Sequence, residues 1–146
     1  MNNRTINTKQ LLSTLWIFLT VNYIFCDVFS LYYSEFLKQL LIGEIDGILF
    51  TEKFLLSFAI IMEIPMLMIV LSKILNHKQN RVLNIVCGVL MIVVQIGSLL
   101  TANNTLHYYF FSFIEICTLV IIIWFAWKWI TPEQLIKTDK TTMQTR

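Results

Sequence analysis

Three acidic residues lie inside segments that are otherwise apolar enough to cross a membrane: Asp27, Glu63 and Glu115. A carboxylate in hydrocarbon is unfavourable unless it is paired, protonated or exposed to a polar cavity, so each of the three is a candidate functional residue. Their chemistry suits three tasks: binding a cation or polar ligand, relaying protons, or forming hydrogen bonds between helices. Which task they perform depends on whether the fold brings them together.

Four apolar segments make up most of the chain and carry these acids. They cover about residues 11–33, 54–75, 82–100 and 108–130, and each is long enough to cross a hydrocarbon core about 30 Å thick. The composition agrees, since 57% of the residues are hydrophobic and the mean hydropathy is +0.70. The sequence predicts an all-α polytopic membrane protein, with one four-helix domain over residues 1–130 and a polar tail over residues 131–146.

The first apolar segment is expected to remain in the protein as a helix. Arg4 and Lys9 precede it, as in a signal peptide, but Asn22 and Asp27 interrupt its apolar run. The segment is also longer than the apolar region of a signal peptide and lacks a small-x-small cleavage site.

Basic residues are distributed unequally between the two sides of this predicted bundle. Nine of the eleven lie near the termini or in the connection between the second and third segments: Arg4, Lys9, Lys73, Lys78, Arg81, Lys128, Lys137, Lys140 and Arg146. The positive-inside rule therefore predicts that both termini are cytoplasmic. The net charge of +2 is explained by this topology and gives no reason to expect a nucleic-acid partner; the predicted partner is the lipid bilayer.

The connection between the first and second segments differs from the other two because it is amphipathic. Over residues 34–41, apolar and polar side chains alternate at helical spacing, and Gly43 and Gly47 follow. This pattern predicts an interfacial helix that lies on the outer leaflet, parallel to the membrane plane. It would serve either as a connector resting on the membrane or as a lid over an outward-facing cavity.

Polar side chains recur at steps of three and four residues along three of the four segments. The stripes consist of Ser13, Trp16, Thr20, Tyr23, Asp27 and Ser30 in the first segment, Asn84, Gly88, Met91, Gln95 and Ser98 in the third, and Tyr108, Ser112, Glu115 and Thr118 in the fourth. Such stripes face the interior of a bundle, while the intervening Ile, Leu, Val and Phe face lipid.

Counting positions from the segment ends places the acids in the outer half of the membrane. The sequence therefore predicts an outward-facing pocket lined by Asp27, Glu63, Gln95 and Glu115, with Tyr23 and Tyr108 at its rim. Because no basic residue shares this depth, repulsion and desolvation predict that at least one carboxyl group is protonated near neutral pH. The same acids could instead only hold the helices together, or take part in redox or other catalytic chemistry.

Other reactive residues add no recognisable site. Cys26, Cys87 and Cys117 include no Cys-x-x-Cys pair, and His77 and His107 are expected at opposite membrane faces. The sequence accordingly gives no indication of a metal, a cofactor or catalytic residues, and an enzymatic role is less favoured than binding.

Short motifs in all four segments together resemble a known group of proteins. They are LSTLW at 12–16 with Asn22, Tyr23 and Asp27, MEIPM at 62–66 with Leu71 and Ser72, Asn80 and Arg81 with Asn84 and Ile85, and Glu115 and Ile116 ahead of WFAWKW at 124–129. Over about residues 11–130 the chain resembles a family of small bacterial four-helix membrane proteins of unknown function, which is distantly similar to the DoxX-like group. The resemblance implies a four-helix bundle in a bacterial inner membrane. Some DoxX-like proteins are associated with quinone-linked sulfur oxidation or redox homeostasis, but this chain has no cysteine pair to support that chemistry.

The sequence leaves three functions open. The leading hypothesis is a protein that binds or transports a small apolar or cationic ligand, contacted by Glu63 and Glu115 with Asp27 near the entrance. The second is an accessory subunit of a membrane redox system that interacts with a quinone, and the third is a structural protein without a ligand. The ligand, the pathway and the oligomeric state do not follow from the sequence, which allows an oligomer.

Overall fold

A computed structural model describes residues 7–45, 47–101 and 104–129, and the predicted polar tail lies outside this range. The elements are α1 (Thr8–Leu31), α2 (Ser34–Ile42), β1 (Glu44–Ile45), β2 (Ile48–Leu49), α3 (Glu52–Ile74), α4 (His77–Thr101) and α5 (Leu106–Lys128). Helices α1, α3, α4 and α5 are each long and apolar enough to span a membrane. The predicted four-helix architecture is confirmed, and the chain is a multi-pass membrane protein.

The helices begin a few residues before the apolar segments because polar residues cap them. The Asn7 side chain accepts a hydrogen bond from the backbone N–H of Lys9 at 3.1 Å, and the Thr51 hydroxyl accepts one from Phe54 N–H at 3.2 Å. Helix α1 packs extensively on both α3 and α5, and α4 packs mainly on α5. The contact between α3 and α4 is smaller.

The two ends of the bundle carry different connections. At the turn side, Leu75 and Asn76 join α3 to α4. At the connector side lie α2, the two short strands and the connection between α4 and α5. The Lys9 Nζ donates to the carbonyl oxygen of Leu75 at 2.7 Å, which ties the start of α1 to the end of α3 at the turn side.

The predicted interfacial helix is present as α2, and none of its residues is buried. Leu37, Leu41 and Ile42 are exposed, as expected of a helix whose apolar side rests on lipid. Gly43 ends it in the left-handed conformation, with φ of 82°. A small antiparallel pair, β1 with β2, follows and was not predicted; it turns at Gly47, where φ is 83°.

The interior contains most residues of the predicted stripes together with an apolar core, whereas Asp27 and Ser98 of these stripes are exposed. The core residues without solvent exposure include Leu12, Trp16, Leu19, Met91, Leu119 and Ile122. Gly88 allows a close approach of α5, because a Cβ at this position would lie 2.8 Å from Ile123 Cγ1. Side chains on the lipid-facing surfaces are mostly Ile, Leu, Val and Phe.

A buried hydrogen-bond network joins three helices in the turn-side half of the bundle. We call Trp16, Ser72, Asn80 and Asn84 the turn-side network. Trp16 Nε1 donates to Asn84 Oδ1 at 2.7 Å, Asn84 Nδ2 donates to Asn80 Oδ1 at 2.6 Å, and Asn80 Nδ2 donates to the Ser72 carbonyl oxygen at 2.6 Å. The Ser72 hydroxyl adds a longer bond to Asn84 Oδ1, at 3.4 Å. The polar groups of the turn-side network, which come from α1, α3 and α4, therefore satisfy one another.

Candidate functional site

Glu115 lies in the interior of the bundle, nine residues after the start of α5, or roughly 13 Å along the helix axis. Its side chain is 1% exposed. Neither carboxyl oxygen has a hydrogen-bond partner among the described residues. Ser112 and Thr118, three residues away on either side, are also buried, so this stripe of α5 faces inward as predicted.

Helix α1 brings two further predicted residues to Glu115. Tyr23 is buried, and its hydroxyl oxygen has no hydrogen-bond partner in the described part of the chain. Asp27 lies one turn further along α1 and is exposed. The Asp27 carboxyl group and the Tyr23 hydroxyl group are both close enough to interact electrostatically with the Glu115 carboxyl group. Asp27 thus links the buried acid to the surface.

Helices α4 and α5 close the site toward the connector side. The Tyr108 and Ser98 hydroxyl groups form a hydrogen bond, and Tyr108 interacts electrostatically with Glu115 and Asp27. Gln95 is buried, and its Nε2 donates to Ser112 Oγ at 2.8 Å. We call Tyr23, Asp27, Gln95, Tyr108 and Glu115 the connector-side cluster; they are five of the six predicted site residues.

Glu63, the sixth predicted residue, does not join the cluster. Its side chain is exposed on α3. Asp27 is instead the acidic residue close to Glu115. Glu63 was predicted to line the pocket because of its depth along α3. Its position around the helix axis directs its side chain away from Asp27 and Glu115.

The cluster contains buried polar atoms that lack a hydrogen-bond partner in the described part of the chain. Within the described residues, three buried side-chain oxygen or nitrogen atoms lack a hydrogen-bond partner: Tyr23 Oη, Glu115 Oε1 and Glu115 Oε2. Buried polar groups in native proteins are nearly always hydrogen-bonded, so this concentration of unpartnered atoms makes the cluster the candidate functional site. Two carboxyl and two phenol groups offer oxygen atoms to hydrogen-bond donors and cations.

Sequence reasoning missed several neighbours of the cluster. Cys26 is buried, and Glu115 and Asp27 interact with it electrostatically. Ser30 Oγ lies 3.3 Å from His107 Nε2 and joins the end of α1 to the start of α5. The helical stripe included Ser30, but a contact between residues so far apart in the chain leaves no periodic signal. Within the described residues, no group of three His, Cys, Asp or Glu side chains could hold a metal ion.

A separate recess lies on α5, away from the cluster and toward the turn side. It is lined by Val120, Ile123, Trp124, Trp127 and Lys128. The Lys128 Nζ lies 4.1 Å from the centre of the Trp124 ring, a cation–π distance. Trp and Lys at the end of a spanning helix are typical of anchoring at the membrane interface.

Comparison with known proteins gives a family but no activity. The model of a family of unknown function (DUF6326) matches residues 2–136, so the chain belongs to this family. The predicted membership of an uncharacterised family is therefore confirmed, whereas the distant relation to the DoxX-like group stays a prediction. No curated protein and no solved structure matches the chain.

Proposed function

We propose that this member of the DUF6326 family binds a small cationic ligand, an alkylammonium compound, at the connector-side cluster. The observation that carries the proposal is the burial of Tyr23 and Glu115 with no hydrogen-bond partner for the phenol oxygen or either carboxyl oxygen in the described residues. An ammonium group donates up to three hydrogen bonds and would satisfy these atoms. The ion pair found among the described residues joins Lys38 to Glu35 and does not involve Glu115.

The two acids have different roles in this proposal. Glu115 forms the buried contact with the ammonium group, and a hydrogen bond between charged groups is roughly twice as strong as a neutral one. Asp27, which is exposed, attracts the cation at the entrance. The faces of Tyr23 and Tyr108 provide cation–π contacts, and the surrounding apolar residues accept the alkyl chain.

The entrance faces the outside of a bacterial inner membrane in this proposal. Lys and Arg residues are concentrated at the turn side and the termini, and the positive-inside rule favours a cytoplasmic location for that side. The exposed helix α2 then lies on the outer leaflet, where it is either a passive connector or a lid. Transport of the ligand across the membrane stays a prediction.

Topology can be tested with reporter fusions. A cytoplasmic reporter attached after Arg146 should be active, and a periplasmic reporter inserted between α4 and α5 should be active as well. The physical reason is the positive-inside rule. Periplasmic activity of the C-terminal fusion would contradict the orientation, and the matched insertion between α3 and α4 should report from the cytoplasm.

Ligand binding can be tested with hexylammonium and the purified protein in lipid nanodiscs. We expect Glu115→Gln to weaken binding by about tenfold to a hundredfold, because it removes a charge-assisted hydrogen bond worth about 1.5–3 kcal/mol. Isothermal titration calorimetry measures the change. Glu52→Gln, at the exposed start of α3, is the control and should bind as the unaltered chain does. Equal affinity of Glu115→Gln and the unaltered protein would exclude Glu115 from the site.

A second candidate function is quinone binding within a membrane redox system. The buried, unpartnered Tyr23 hydroxyl favours it, because a phenol can donate a hydrogen bond to a quinone carbonyl oxygen. Organic extraction of the purified protein followed by mass spectrometry distinguishes the two candidates. A stoichiometric quinone that is lost in Tyr23→Phe would favour this function, whereas neither quinone nor hexylammonium binding would favour a purely structural protein.

A further inference from the structure

We propose that the exposed face of α3 binds a second copy of this chain, in a two-fold symmetric dimer that pairs Glu63 with the partner subunit's Glu63 in the middle of the membrane. The proposal concerns a surface remote from the connector-side cluster. It does not depend on the proposed ligand.

Helix α3 is the least buried of the four spanning helices. Only 11% of its most apolar 18-residue window is buried, against 39% for α1. Its buried residues are Pro65, Met68 and Ser72, which share one side of the helix. The opposite side therefore has no partner within the described chain.

The exposed side of α3 carries residues at regular helical spacing. It contains Leu56, Ile60, Glu63, Leu67, Val70 and Ile74, which we call the α3 seam, and every member is exposed. With about 3.6 residues per turn, these positions fall on the side opposite Pro65, Met68 and Ser72. Their alternating steps of four and three residues are those of helices that pack side by side in a left-handed pair.

Spacing alone does not single out α3. Helix α4 exposes Val82, Val86, Val89, Val93, Ile96 and Leu100 at the same steps, and we call these residues the α4 stripe. Every residue of the α4 stripe is apolar and can face lipid without a partner. The α3 seam differs because it contains one acidic residue, Glu63. An acidic side chain needs a polar partner, so the α3 seam is the surface that we expect to be covered.

Glu63 occupies the middle of the span. Eleven residues separate it from Glu52 at one end of α3 and eleven from Ile74 at the other, which is about 16 Å in each direction. Lys53 and Lys73 are each ten residues away, about 15 Å along the axis, too far for a direct contact. Acidic residues at this depth are rare and find partners in other protein segments.

A second copy is the partner that the chemistry of Glu63 fits. All copies insert in the same orientation, so the axis of a symmetric pair is perpendicular to the membrane and places identical residues at equal depth. A protonated carboxyl group both donates and accepts hydrogen bonds, so two such groups complement each other. Two copies of the apolar seam also pack above and below the pair without a charged residue between them.

Disulfide crosslinking tests the surface. In a background carrying Cys26→Ala, Cys87→Ala and Cys117→Ala, we expect Ile60→Cys and Leu67→Cys to form dimers in lipid vesicles on mild oxidation. Val86→Cys and Val93→Cys in the α4 stripe are the matched controls and should remain monomeric. Equal crosslinking at both surfaces, or none at the α3 seam, would overturn the proposal. In cell membranes, an adduct with a mass other than twice 17.2 kDa would assign the seam to a different protein and overturn it as well.

The role of Glu63 is tested by measuring the dimer population at low protein density. Energy transfer between labelled chains in vesicles gives this population. We expect Glu63→Gln to dimerise nearly as the unaltered chain does, because the amide also donates and accepts hydrogen bonds. Glu63→Leu should reduce the association constant about fivefold, the equivalent of a membrane hydrogen-bond contribution of about 1 kcal/mol. Leu favours both helix formation and insertion, so this variant keeps its fold. Unchanged association of Glu63→Leu would refute the carboxyl pair.

Discussion

The turn-side network and the connector-side cluster both place polar side chains of α1 and α4 inside the bundle, yet they differ in how completely their polar atoms are satisfied. In the turn-side network, the polar side chains of Trp16, Asn80 and Asn84 all have hydrogen-bond partners in other residues. In the connector-side cluster, Tyr23 and Glu115 are also buried, but the Tyr23 hydroxyl oxygen and both Glu115 carboxyl oxygens have no partner among the described residues. Buried polar side chains in this bundle therefore fall into two groups: those that hydrogen-bond to one another and those that have no partner in the described chain.

The distinction has an energetic basis. A buried polar group that is paired contributes to stability, whereas an unpaired one retains its desolvation cost. The bundle is thus expected to be strongest in its turn-side half and to accept a partner in its connector-side half. Substitutions at equivalent depths of burial should have opposite consequences in the two regions.

The largest effect on stability is expected for Asn84→Leu. Leu fills a similar volume but leaves Trp16 Nε1 without its acceptor and deprives Asn80 and Ser72 of their contacts with Asn84. We expect a loss of about 3 kcal/mol in the free energy of unfolding, on the order of several membrane hydrogen bonds and one orphaned donor. Reversible unfolding in mixed micelles measures it. Val86→Leu, on the exposed side of α4, is the control and should change stability little; an equally small effect of Asn84→Leu would show that the network is not a stability element.

A smaller loss is expected for Gly88→Ala, at the boundary between the two regions. The added Cβ would lie 2.8 Å from Ile123 Cγ1, so α4 and α5 must separate or Ile123 must move. Overpacking of this kind destabilises by about 1–3 kcal/mol. Gly97→Ala is a control on the same helix, because nothing lies within 4 Å of its Cβ position. It should be neutral or stabilising, since Ala favours the helix by about 1 kcal/mol over Gly. Equal thermal stability of the two variants would argue against a close contact between α4 and α5.

How far the sequence predicts this molecule depends on whether a helix has two distinguishable faces. In α1, α4 and α5 the polar stripe contrasts with apolar surroundings, so periodicity correctly predicted that Trp16, Asn84 and Glu115 face inward. In α3 both faces are apolar over residues 58–71 apart from Glu63, and depth alone suggested a pocket role that the orientation of the helix does not support. The pairing of Trp16 with Asn84 joins positions 68 residues apart, which no local pattern encodes.

The smallest effect on stability, and the one that separates the two regions most sharply, is expected for Glu115→Leu. This substitution removes two carboxyl oxygens that have no partner in the described chain, so it breaks no hydrogen bond and replaces a desolvated polar group with an apolar one of similar size. Exchanging an unsatisfied buried polar group for a hydrophobic one is near neutral or stabilising, and we expect a change within about 1 kcal/mol, in the stabilising direction. Unfolding in the same micelles measures it beside Asn84→Leu. The same variant should lose hexylammonium binding, so that stability and binding change in opposite directions at this residue. A loss of stability comparable to that of Asn84→Leu would instead mean that Glu115 holds the bundle together through a buried water or another partner, and the two polar regions would then have the same purpose.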